Sequence, residues 1–135
     1  METPNIVLAW LREKCEDRNW SSVREQRTVS REWVRHTGGR IMRAGLTGQI
    51  APAQEFKLEI NSEGCEPEYA AAARNGALTV LLSQSWNPVL AVELTLSNFV
   101  AHEAESSYAA FYAVAHEATS HLLGVAPGTD HNIDW

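Results

Sequence analysis

The chain has 135 residues, 44% hydrophobic and 21% charged, which is ordinary for one domain with a single core. No run of about 18 uncharged apolar residues occurs, and Glu2 and Pro4 stand where a secretory leader would place positive charge, so a cytoplasmic protein with no membrane partner is expected. The net charge of −6 is uneven: nine of the eleven basic residues but only six of the seventeen acids lie up to residue 43, giving +3 there and −9 beyond, so a polyanion could be met by one face only. Because these bases are interleaved with acids, a solvated strand and helix face explains them equally.

Thr3 and Pro4 supply an N-cap and first turn, and Ile6, Val7, Trp10, Leu11 and Cys15 recur at helical spacing, predicting a helix over 4–17 whose Trp10 faces the core or, as the alternative, a dimer partner. Val23, Glu25, Arg27, Val29, Arg31, Trp33 and Arg35 recur at period two, predicting a strand over 23–35 with an apolar and a basic side, although odd positions hold both kinds. Gly38-Gly39 punctuates it, and a second strand follows over 41–50, with Gly45 and Gly48 as places for a bend or bulge. Phe56, Leu58 and Ile60 alternate with Lys57 and Glu59, predicting a third strand over 54–61 that ends at the turn residues 61–64. Pro67 opens a helix to about Ser83, with alanines at 70–73 and a buried stripe of Leu78, Leu81 and Leu82; Gly76 interrupts it and allows close packing.

After the break at Trp86-Asn87-Pro88, residues 89–96 read as a central strand with Glu93 as the exception. Residues 97–105 read as a loop holding His102, and Ser106 or Ser107 caps a last helix that runs to about Leu123 before Gly124 closes it. Residues 127–135 look irregular. Cys15 and Cys65 have no metal-ligand spacing and read as a pair of reduced thiols.

Several short segments carry a family resemblance: Thr37-Gly38-Gly39-Arg40, Gly64 through Pro67-Glu68-Tyr69 to Gly76, Asn87-Pro88-Val89 before Val92, Leu94 and Leu96, and His102 through Ser106-Ser107 to Ala110-Phe111. In order and spacing they resemble domain IV of bacterial elongation factor G, the arm that enters the ribosomal decoding site. The resemblance covers about residues 23–123, leaving 1–22 as an N-terminal helical extension and 124–135 as a tail. It implies an α+β fold of the ribosomal protein S5 domain 2-like group, β-β-β-α-β-α, with four strands in a mixed sheet, both helices on one face and a left-handed crossover, against the usual rule. It also implies a translation-related module that binds the ribosome or structured RNA through the His102 loop. The RNA-contacting set would be His102, Glu103, Ser106 and Ser107, with Arg40 and Arg43. Departures are Ile41-Met42-Arg43-Ala44-Gly45 where the family carries glycine, glutamine, an aromatic and glycine, a start to the first helix about one residue shorter, and Glu103 and Glu105 where aspartates are common.

The tip chemistry reads independently of that resemblance. A histidine on a short loop can donate, accept and stack on a base, and serine hydroxyls with free helix-start N–H groups can meet a phosphate or a ribose hydroxyl. Glu103 and Glu105 oppose a phosphate backbone by like charge. An equally direct reading has the serines capping the helix and His102 merely exposed.

His116-Glu117-Ala118-Thr119-Ser120-His121 misses the zinc-protease pattern: a gap of five turns the two imidazoles about 140° apart on a helix. His121 and His131 with Asp130 and Asp134 could assemble an adventitious metal site. No phosphate-cradling Gly-x-x-x-x-Gly-Lys motif occurs, and no nucleophile pairs with a histidine in a recognisable pattern. The expectation is a non-enzyme with no cofactor, metal or nucleotide. The alternative to RNA binding is a diverged protein-interaction domain with a protein partner.

Overall fold

The computed structural model describes residues 6–17, 20–83, 88–102 and 104–124. Its elements run α1 (Ile6–Asp17), β1 (Arg27–Thr37), β2 (Arg40–Pro52), β3 (Lys57–Ile60), α2 (Pro67–Leu82), β4 (Val92–Ala101) and α3 (Tyr108–Leu122). The fold is α+β with one mixed four-stranded sheet in the order β1-β2-β4-β3. β1 and β2 form an antiparallel hairpin, β2 and β4 are antiparallel, and β3 lies parallel to β4. This is the element order and layering expected from the sequence.

Alternation decides which side of the sheet is covered. Leu46 and Ile50 of β2 and Val92, Leu94 and Leu96 of β4 are buried together with Ala72, Ala73 and Ala77 of α2 and Phe111, Val114 and Ala118 of α3. The opposite positions, such as Glu93 on β4 and Lys57 on β3, stay exposed and pair at 3.9 Å. Phe111 anchors the helix layer, stacking on Tyr69 at 4.6 Å and Phe99 at 5.4 Å between ring centroids.

Gly76 lies within a continuous α2 whose backbone touches α3. A Cβ at that position would run into the Tyr112 carbonyl oxygen and come within 3.2 Å of the His116 nitrogen. α1 covers the far side of α2, where Val7, Trp10, Leu11 and Cys15 pack with Trp20 on Leu78, Leu82 and Leu90. Trp10 therefore faces core.

Three boundaries differ from expectation. β1 begins at Arg27, four residues late, and β3 is shorter than predicted at four residues. β4 begins at Val92 and runs through the predicted loop to Ala101. The cause is a bulge: Asn98 takes φ 51, the register shifts between Gly45 and Thr47 on the facing strand, and pairing resumes with Val100 opposite Gly45. Phe99 can then turn inward onto Phe111. The Thr3-Pro4 start, the Trp86-Asn87 break and the tail with His131, Asp130 and Asp134 lie outside the described residues.

Candidate nucleic-acid interface

The β1–β2 hairpin, the β4–α3 loop and the start of α2 share one end of the sheet. β4 pairs with β2 only as far as Ala44, whereas β1 and β2 continue to the Thr37–Arg40 pair. Arg43 is still bonded to the β4–α3 loop, so three further residue pairs project as a two-stranded ribbon, about 10 Å at the usual strand rise. Gly38 (φ 54) and Gly39 (φ 80) close it, and two successive positive φ values are what a two-residue hairpin turn requires. His36 and Arg40 are exposed beside the turn, and Arg40 makes no ion pair among the described residues.

The His102 loop is bonded to itself and to β2. His102 accepts at its carbonyl from the N–H groups of Glu105 (2.9 Å) and Ser106 (2.8 Å), and Ala104 takes φ 70 to make the turn. The Ser106 hydroxyl accepts from the His102 N–H at 2.8 Å and donates to the Arg43 carbonyl at 2.7 Å. Arg43 N–H donates in return to the Glu105 carbonyl at 2.9 Å. Ser107 is the N-cap of α3, its Oγ accepting from the Ala110 N–H at 3.2 Å. From α2, the Tyr69 hydroxyl donates to the Ser106 carbonyl at 3.3 Å.

Charge is arranged around that brace. Arg43 Nε, shielded from water, faces Glu105 Oε1 at 3.6 Å. His102 Nε2, equally shielded, faces Glu32 Oε2 on β1 at 3.7 Å, an ion pair only when the imidazole is protonated. Both separations exceed hydrogen-bond length, so these are electrostatic neighbours rather than bonds.

The structure therefore brings His102, Ser106, Ser107 and Arg43 together and leaves Arg40 on the ribbon, three residues or about 10 Å further along the strand. Both serine hydroxyls bond to protein groups, Ser106 bracing the loop and Ser107 capping α3, which is the capping arrangement the sequence also offered. Glu103 lies outside the described residues. His36 is not in the expected set, and its signal was the even-numbered run Glu32, Val34, His36 that places it on the ribbon's exposed side. Glu32 and Tyr69, which position the loop from β1 and α2, carry no local signal.

The basic stripe of β1 faces the helix layer. Arg27 Nη1 donates to the Leu122 carbonyl at 3.2 Å, closing the last turn of α3, and Arg31 Nε donates to Glu117 Oε1 at 3.0 Å. Val29 and Trp33, the apolar odd residues, pack on the core between them. Apolar and basic residues share one side because β1 is an edge strand, where long side chains reach around α3. His116 is half-buried on α3 and His121 is exposed at its last turn.

The sequence matches no protein-family model and no curated protein. Among solved structures, the fold is similar to that of a protein from Thermus thermophilus seen by crystallography, with 21% sequence identity and a TM-score of 0.68 over 76% of this chain. The chain spans 16% of that larger protein's length, so the likeness concerns one part of it and shows the fold.

Proposed function

We propose that this chain is a module of the elongation factor G domain IV type, translation-related, that seats its hairpin ribbon and His102 loop against the ribosome or another structured RNA without hydrolysing nucleotide. The observation that carries the reading is the ribbon: a narrow projection tipped by two glycines, bearing exposed His36 and Arg40 beside a loop already locked by its own hydrogen bonds. A guanidinium at such a tip meets phosphates, and an imidazole can stack on an unpaired base. A loop ordered before contact loses less entropy on docking. Arg40 and His36 are the contacting residues, His102 borders them, and Ser106, Ser107 and Arg43 hold the loop in place.

The alternative, a protein-interaction domain that has lost ribosome binding, is favoured by the exposed carboxylates Glu66 and Glu68 at the start of α2, which the Tyr69–Ser106 bond sets beside the same loop. Like charge there repels a polyanion.

Co-sedimentation with ribosomes at two salt concentrations separates the readings. Pelleting at low salt that weakens at high salt and falls in Arg40→Glu and His36→Ala is expected. One lost phosphate contact should also lower the salt slope by about one. No pelleting at low salt, or pelleting indifferent to both variants, would overturn the RNA reading.

A further inference from the structure

A groove runs along the outer edge of β1, between that strand and α3. Among the described residues no strand pairs with this edge, so alternate residues of an eleven-residue strand turn N–H and C=O groups outward. The sheet's other edge, β3, has four residues and offers far less. Beside β1 lie two hollows. One, of about 720 Å³, is lined by Trp33, Arg35, Thr79, Tyr112, Ala113 and His116, and its walls are mainly apolar. The other, of about 360 Å³, is lined by Arg27, Val29, His121 and Leu122. The Arg31–Glu117 bridge divides them. Their centres lie roughly six residues apart along the strand, about 20 Å, and side chains at even spacing point to the same side of a strand.

We infer that this edge is a second binding surface, taking an extended acidic peptide segment of a protein partner as an added strand. Main-chain hydrogen bonds to β1 would hold the segment, and an apolar side chain would fill the larger hollow, with a polar side chain about six residues away at the smaller, mainly polar one. The charge selects the peptide. Arg27, Arg31 and Arg35 line the cleft side of β1; Arg27 and Arg31 are engaged by α3, and Arg35 is exposed without an ion pair among the described residues. Glu117 is the carboxylate facing them, already held by Arg31. An incoming acid opposite Arg35 meets an unopposed guanidinium, whereas an incoming lysine meets a basic row. Edge strands of this length are commonly protected by charge of one sign, which excludes like-charged partners and admits the opposite sign. This surface meets the ribbon at Val34 and Arg35 but holds neither His36 nor Arg40, and it depends on no part of the RNA reading.

The test uses the full chain and a fluorescein-labelled synthetic peptide with one leucine for the larger hollow, a serine about six residues away for the smaller, aspartates between them, and threonine at the alternate positions. Fluorescence anisotropy should show it binding at least about tenfold more tightly than the same peptide with lysine for aspartate. Methylating its alternate backbone nitrogens should abolish binding. Arg35→Glu, an exposed substitution, and Ala113→Phe, which fills the larger hollow, should each weaken binding about tenfold, while amide exchange slows along β1 in the wild type on peptide addition. Equal affinity for both peptides, indifference to N-methylation, or no binding at millimolar peptide would overturn the proposal. So would a self-association that both variants abolish, which would make a second copy the occupant. Displacement of the peptide by an RNA hairpin would also overturn it, assigning the face to nucleic acid.

Discussion

Ser106 joins two segments 63 positions apart through one hydroxyl, accepting from His102 and donating to Arg43. Removing it leaves a half-buried N–H and a carbonyl unpaired, which typically costs about 1–3 kcal/mol. Ser106→Ala should lower urea-unfolding stability by about that amount and speed amide exchange at His102. Ser107→Ala removes only a cap and should cost about 1 kcal/mol. Gly76 argues in the opposite sense to propensity. Alanine in a helix interior is favoured over glycine by about 1 kcal/mol. Here the added carbon meets the α3 backbone, so Gly76→Ala should destabilise by about 1–3 kcal/mol, as overpacking does. A gain in melting temperature would contradict the close approach.

His116 supplies a pH dependence. Burial holds its imidazole below the ordinary histidine range, so the folded chain resists a proton that the unfolded chain accepts below about pH 6.5. Stability from this group is full above that value and is lost as pH falls toward the folded pKa. Urea unfolding at pH 7.5 and 5.5 should show this fall, and His116→Gln should flatten it.

Among the elements, α3 joins the sheet to the helix layer. It ties to β1 through Arg27 and Arg31, caps itself with Ser107 and seats Phe111 between Tyr69 and Phe99. Phe111→Ala should cost about 3–5 kcal/mol, a cavity value, and should disorder the His102 loop that α3 supports. Calorimetry gives the first and amide exchange the second. What the sequence disclosed follows the reach of each interaction. Pro67, Ser107 and Gly38-Gly39 act on their own backbone, and the elements they start or close lie where local chemistry puts them. The extension of β4 to Ala101 was hidden because one bulge at Asn98 breaks the period-two pattern and makes Ser97-Asn98 resemble a loop. The partners of Arg27 and Arg31 lie 95 and 86 positions away, so the stripe read from spacing gave no hint that α3 would engage it.

Across the whole molecule, the charge asymmetry of the chain becomes a spatial one. The bases up to residue 43 that the structure describes mostly lie on the β1–β2 hairpin, which forms one edge and the projecting ribbon. Several later acids, Glu66 and Glu68 among them, sit near the start of α2. The candidate site was only partly legible for the same reason. His102, Arg40 and Arg43 share one end of the sheet, but which groups are engaged there depends on long-range hydrogen bonds. Those bonds engage the Ser106 hydroxyl and the Arg43 backbone and leave Arg40 and His36 exposed.

Photo-crosslinking addresses the ribbon most directly. With p-benzoylphenylalanine replacing His36, and at Glu59 on the opposite edge as a control, the protein would be irradiated with ribosomes at low and high salt. Adducts to ribosomal RNA from position 36, suppressed by salt and absent from position 59, are the predicted result. Adducts to protein alone, or equal yields from both positions, would contradict a tip that docks on RNA.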